Sequence, residues 1–239
     1  WSSDVCSSDL NTAVAAQPAG APIHSGSTPG WREAKGAAAG GASTSPRPTR
    51  PAASRRPVAR ATRVTFLGDS ITAWGDWQRR FPEAAVTNAG HPGDTTIDLL
   101  ARLAAVRDGR PELVLLMVGI NDLLRGARVE AVAERILRIR QLVVDPGRVQ
   151  VIHQSTLSCE ASRCGAVIVG RVRQLNHLLR ASVPSADFLD VDAVLADSKG
   201  LRPAYSLDGL HLTSAGYRRW QELLRSRFGS QLGRSSPVP

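Results

Sequence analysis

The sequence predicts a three-layer α/β/α fold built on a doubly wound, five-stranded parallel sheet. Two observations carry that expectation. From residue 63 onward, short β-branched runs alternate with longer amphipathic stretches, joined by short links. Within them, residues 113–118 (Leu-Val-Leu-Leu-Met-Val) form an unbroken apolar run between Pro111 and Gly119, the pattern of a strand buried on both faces.

The elements follow in order. Arg63 to Leu67 reads as the first strand, and Ile71 to Phe81 as the first helix. Ala85 to Asn88 is a second, weaker strand. Thr95 to Arg107 has apolar residues at Ile97, Leu99, Leu100, Leu103 and Val106, a helical spacing, with Asp94 or Thr95 as its cap. After the central strand, Val129 to Val144 is a helix with Val132, Ile136, Ile139 and Val143 on one side. Pro146-Gly147 stops it. Val149 to Ile152 is the fourth strand, Ile168 to Val183 a helix, Phe188 to Val191 the fifth strand, and Thr213 to Phe228 the closing helix. No internal repeat is present.

The patterned region is long enough for one domain with a sizeable core, assigned to residues 61–229. Residues 11–60 are rich in Ala, Gly, Pro, Ser and Thr and hold almost no large aliphatic side chains, so they are expected to be a disordered linker or tail. Residues 230–239 are expected to be a disordered C-terminal tail. Residues 1–10 (Trp-Ser-Ser-Asp-Val-Cys-Ser-Ser-Asp-Leu) resemble the in-frame translation of a sequencing adapter, and the only Met is Met117. They are set aside as a scar, with the native N-terminus and any signal peptide expected to be missing.

Net charge is +9 over 239 residues. Residues 11–60 carry seven basic side chains (Arg32, Lys35, Arg47, Arg50, Arg55, Arg56, Arg60) against Glu33. Basic tails can bind anionic surfaces. Here almost every cation is Arg, within an Ala/Arg/Gly/Pro bias that runs along the whole chain. No aromatic–cation stripe of the kind single strands need is present, so no nucleic-acid partner is expected. No apolar run reaches the ~18 residues of a membrane span. With Cys6 in the scar, Cys159 and Cys164 remain, close together in an expected loop. They read as a disulfide in an exported protein, against two free thiols in a cytosolic one.

Four separated blocks carry the chemistry. Ser70 follows the first strand in Gly68-Asp69-Ser70-Ile71-Thr72. Alone, that reads as an ordinary helix cap. Gly68 lets the turn form, and Asp69 caps or braces it. Asp208 and His211 lie three apart before the last helix. A serine hydroxyl needs a base in contact, histidine suits the task, and a carboxylate on its other nitrogen fixes the tautomer. Gly93 and Asn121 follow the second and third strands and offer a backbone N–H and a side-chain amide to a developing oxyanion, as does the Ser70 N–H. Gly90 is the rival glycine, read as a plain turn. Asp122 caps or braces its loop. His91 lines the pocket or sits in a surface loop. Thr72 stands where the second glycine of a Gly-x-Ser-x-Gly elbow would be, which argues against an α/β-hydrolase.

The remaining histidines read as structure. His24 lies in the tail, His153 is a hydrogen-bonded residue on a sheet face, and His177 is an exposed helix residue. No grouping has metal-ligand spacing, so neither metal nor cofactor is expected. Trp74 and Trp77 read as packing for the first helix, with stacking on a sugar as the alternative.

Gly68-Asp69-Ser70-Ile71-Thr72, Asn88 to Thr95, Gly119-Ile120-Asn121-Asp122 and Asp208-Gly209-Leu210-His211-Leu212 together resemble the four blocks of the SGNH (GDSL-type) hydrolase family, across about residues 63–229. The resemblance implies a flavodoxin-like strand order. It also implies Ser70 as nucleophile, His211 as base, Asp208 as its orienter, and an oxyanion hole of Ser70, Gly93 and Asn121. The activity it implies is hydrolysis of short-chain, acetyl-type esters, with carbohydrate or small-molecule esters as substrates. An acyltransferase to a sugar or alcohol, a lysophospholipase- or thioesterase-type lipid hydrolase, and a non-catalytic carbohydrate-binding relic remain as alternatives. The oligomeric state is not legible.

Overall fold

The computed structural model describes residues 60–232. The expectations for residues 1–10 and 11–59, and for 233–239, lie outside the described residues.

Five parallel strands form the sheet: β1 (Arg63–Gly68), β2 (Ala85–Gly90), β3 (Leu113–Met117), β4 (Gln150–Gln154) and β5 (Phe188–Leu189). Their order is β2-β1-β3-β4-β5, the flavodoxin-like arrangement. The unbroken apolar run forms β3, buried at every position in the middle of the sheet. The weak second strand is an edge strand, and its polar residues face solvent for that reason. Because β1 neighbours both β2 and β3, the direction of winding reverses there. Gly68 pairs with Gly90 on one side and Met117 on the other, so three strands end level at this reversal. Such a switch point is where open α/β sheets bind ligands.

The helices partly depart from the expected spans. The first is two short helices, α1 (Ser70–Ala73) and α2 (Trp77–Arg80). Gly75 lies between them, and a Cβ there would sit 2.2 Å from the Trp77 ring. The break frees two carbonyls, and the Asn88 amide bonds both, to Ala73 at 2.9 Å and Gly75 at 3.2 Å. The second helix divides into α3 (Thr96–Ala101) and α4 (Leu103–Asp108) at Arg102. Thr95 caps α3 in a capping box with Asp98. Leu99, Leu103 and Val106 are buried as their spacing implied, but Ile97 is exposed.

A short helix, α5 (Ile120–Leu124), follows Gly119 directly and was not foreseen. The next helix, α6 (Val129–Val143), buries Val132, Ile136, Ile139 and Val143 as expected. After β4 comes α7 (Ala161–Ser182), which begins seven residues before its apolar spacing does and is broken at Gly165. The fifth strand stops at Leu189, because Val191 turns back to bond the Leu189 carbonyl and leads into α8 (Asp192–Leu195). A small antiparallel ribbon, β6 (Ala196–Asp197) with β7 (Gly200–Leu201), precedes the closing helix α9 (Ser214–Leu232). No helix among the described residues is long and apolar enough to cross a membrane.

His153 departs from its expected role. Both ring nitrogens are buried and neither has a hydrogen-bond partner in the structure. Its neighbours are the Phe188 ring, at 5.6 Å between centroids, and the Arg140 cation. Burial, reinforced by that cation, pulls its pKa down to about 3, so the ring is neutral. His177 is exposed, as expected, and His91 sits exposed in its loop.

Candidate active site

Ser70 is the first residue of α1, placed at the carboxyl end of β1 by the turn at Gly68-Asp69. No other residue fits at Gly68. A Cβ there would lie 2.2 Å from the Met117 carbonyl and 2.3 Å from the Thr72 hydroxyl. Asp69 caps α1, its Oδ1 accepting the Ile71 N–H at 3.0 Å. It is almost wholly buried and Oδ2 has no partner. Burial pushes its pKa up to about 7 against the Ile71 hydrogen bond, and the nearby Asp94 and Asp122 carboxylates push the same way.

The candidate base, His211, arrives from the far end of the domain's sequence. The loop before α9 closes with an antiparallel bridge between Ser206 and Leu212. His211 Nε2 lies 2.9 Å from Ser70 Oγ, and His211 Nδ1 lies 2.7 Å from Asp208 Oδ2. The second carboxylate oxygen, Oδ1, accepts the N–H groups of His211 at 2.8 Å and Leu210 at 3.0 Å. Partial desolvation pushes the Asp208 pKa up. The hydrogen bonds from the His211 N–H, the His211 ring and the Leu210 N–H outweigh it and hold the carboxyl at about 2. Asp208 is therefore a carboxylate at any working pH. The turn needs a glycine: Gly209 has φ +87°, and a Cβ there would lie 2.5 Å from Arg163 Cβ.

The oxyanion candidates lie on the neighbouring loops. Gly93 has φ +81°, and a Cβ there would meet only Arg125 Nη2, at 3.9 Å. Its N–H meets no acceptor among the described residues, while its carbonyl accepts from Arg125 at 2.9 Å. Asn121, in the first turn of α5, donates one amide hydrogen to the Asp94 carbonyl at 3.0 Å, which leaves its second hydrogen free. Asp122 braces from behind. It accepts the Thr96 N–H at 2.9 Å and the Thr96 hydroxyl at 2.6 Å, and pairs with Arg135. Gly90 is not a plain turn. A Cβ there would lie 2.3 Å from the Ala73 backbone nitrogen, so it is the place where α1 packs onto the sheet edge.

Two features escaped the sequence reading. Trp77 packs in the core as expected, stacked on Phe66. Trp74 does not pack the helix: it is 49% exposed, and its ring stacks on His211 with centroids 3.9 Å apart. Arg102 pairs with Asp94 at 2.7 Å and donates to the Gly68 carbonyl at 3.1 Å, tying the second block to the first. Cys159 and Cys164 form a disulfide, with Cys164 in the first turn of α7 rather than in a loop.

The pattern of the GDSL-like lipase/acylhydrolase family matches residues 66–219. An arylesterase of Vibrio mimicus is 32% identical over 107 residues, covering 38% of this chain and 54% of that protein. The chain thus spans about half the length of this curated relative. Among solved structures, a GDSL-like lipase from Bacteroides thetaiotaomicron is similar with a TM-score of 0.62 and 24% identity, over 73% of this chain and 91% of that one. An acetylxylan esterase from Geobacillus stearothermophilus is similar with a TM-score of 0.57 and 20% identity, over 75% of this chain and all of that one (100%). With the family pattern covering well over half of the sequence and every strand of the sheet but the start of the first, the chain belongs to the GDSL-like lipase/acylhydrolase family.

Proposed function

We propose that residues 61–229 form a serine esterase that works through an acyl-enzyme on Ser70. The observation that carries this is the hydrogen-bonded chain from Ser70 Oγ to His211 to Asp208, at 2.9 and 2.7 Å. His211 Nε2 takes the Ser70 proton as Oγ bonds to the ester carbonyl carbon. Asp208 holds the tautomer with its proton on Nδ1 and stabilises the imidazolium that forms. The oxygen charge is taken up by the N–H groups of Ser70 and Gly93 and the free amide hydrogen of Asn121. His211 then returns the proton to the leaving alkoxide, the C–O bond breaks, and water repeats the sequence to release the acid.

The substrates we assign are short-chain, acetyl-type esters of carbohydrates or small alcohols. Support comes from the family membership and from the likeness in fold to an acetylxylan esterase. The Cys159–Cys164 disulfide supports export to an oxidising compartment. The test is hydrolysis of p-nitrophenyl acetate, butyrate and octanoate, with acetylated xylan as the polymer substrate. Ser70→Ala should remove activity on all of them, with turnover falling from acetate to octanoate in the wild type. Equal rates for wild type and Ser70→Ala would overturn the mechanism.

A further inference from the structure

Trp74 is joined to both halves of the proposed site. It ends α1, and its backbone N–H donates to the Ser70 carbonyl at 3.0 Å, one helical turn from the nucleophile. Its indole lies against the His211 imidazole, with centroids 3.9 Å apart and planes inclined by 27°. An aromatic face attracts a cation far more than a neutral ring. A neutral His211 gains little beyond contact from this stacking. An imidazolium gains the cation–π term as well, and in the reaction the neutral base becomes an imidazolium as Ser70 gives up its proton. An interaction that appears in the transition state and not before it accelerates the reaction rather than tightening substrate binding.

We propose that Trp74 is a positioning residue for His211: its indole fixes the plane of the imidazole and stabilises its protonated form. This rests on the reading of His211 as the base. The other groups around His211 are the Asp208 carboxylate at 2.7 Å and the Ser70 hydroxyl at 2.9 Å. From α7 and the residue before it, Arg163 packs under Gly209 and the Glu160 N–H bonds the Gly209 carbonyl. Asp69 is buried beneath the turn that carries Ser70. A change at Trp74 leaves all of these in place, and its half-exposed position means that replacement opens no core cavity.

The experiment compares wild type, Trp74→Phe and Trp74→Leu. The ring protons of His211 are titrated by NMR in the full chain, and kcat and KM for p-nitrophenyl acetate are followed against pH. A cation–π contact at a partly exposed site predicts that Trp74→Leu lowers the imidazole pKa by about 0.4–0.7 units and moves the acid limb of kcat/KM down with it. Plateau kcat should fall about 2- to 5-fold with KM unchanged, and Trp74→Phe should restore most of both. An unmoved titration overturns the proposal, whether activity stays the same or KM rises; a rise in KM would mark Trp74 as a substrate platform instead. The NMR titration does not depend on turnover. A shifted pKa in a protein whose His211→Ala variant still hydrolyses ester at the wild-type rate would remove the esterase mechanism and leave the stacking effect standing.

Discussion

The buried His153 makes the protein's stability depend on pH in a way that one substitution can isolate. The ring is fully buried, has no hydrogen-bond partner and faces the Arg140 cation, so it stays neutral in the fold down to about pH 3. In the unfolded chain it takes a proton near pH 6.5. Between those values the unfolded state binds more protons, so stability rises with pH and is lost as pH falls below about 6.5. At pH 5 a group shifted this far costs about 2 kcal/mol, against a few tenths at pH 7. His153→Leu removes the titration. Its neutral-pH effect combines repacking against Phe188 with relief of two orphaned nitrogens, and that combination is common to both pH values. The informative quantity is therefore the change in stability difference between pH 7 and pH 5. It should favour the variant by about 2 kcal/mol, or roughly 4–8 °C in Tm for a domain of this size. Urea titration at both pH values measures it. Asp69, with its pKa raised in the fold, acts with the opposite sign in both proteins: it withholds stability as pH rises from about 4 to 7. It cancels in the comparison. If the two proteins lose stability in parallel between pH 7 and 5, then His153 is protonated or hydrated in the fold and the reasoning fails.

Two further outcomes follow from the site. Asn121→Ala removes one proposed oxyanion donor and the bond to the Asp94 carbonyl, so kcat should fall by about 10²–10³ with a much smaller change in KM, read by steady-state ester hydrolysis. Cys159→Ser with Cys164→Ser opens a loop of only a few residues and should cost about 2 kcal/mol, seen as a lower Tm that reductant no longer changes.

The positions of Ser70, Gly93 and Asn121 were legible because a parallel sheet makes them so. Ser70 and Asn121 follow the strongly apolar runs of β1 and β3, Gly93 follows the weaker β2, and all strands of such a sheet end on one side. The Asp208–His211 pair was legible because its partners lie within one turn. What escaped the sequence depends on contacts between distant segments. The break between α1 and α2 is held by Asn88 on the neighbouring strand. The capping of α3 by Asp122 spans 26 residues. His153 looks like any polar residue at a strand end until burial beside Phe188 leaves its nitrogens without partners. Trp74 had two sensible roles by sequence, and its real neighbour lies more than a hundred residues away.

The two halves of the site are held by different physics. Around the proposed oxyanion donors the loops are tied by charge and by buried hydrogen bonds: Arg102 to Asp94 and the Gly68 carbonyl, Arg125 to the Gly93 carbonyl, and Asp122 to Thr96. Donors held this way need little reorganisation when charge develops, which is where such a site gains most of its effect. On the His211 side the ties are local: Asp208 Oδ1 accepts the His211 and Leu210 N–H groups, and the Ser206 hydroxyl accepts the Gly209 N–H. The Asp208 side chain is half exposed, and its loop is short. What grips it is the segment between the two cysteines, where Glu160 bonds the Gly209 carbonyl and Arg163 fills the space beneath Gly209. The Cys159–Cys164 disulfide closes around those two residues. The disulfide therefore braces the loop of the proposed base as well as the fold, and its loss should disturb the Ser70–His211 contact more than the proposed oxyanion donors.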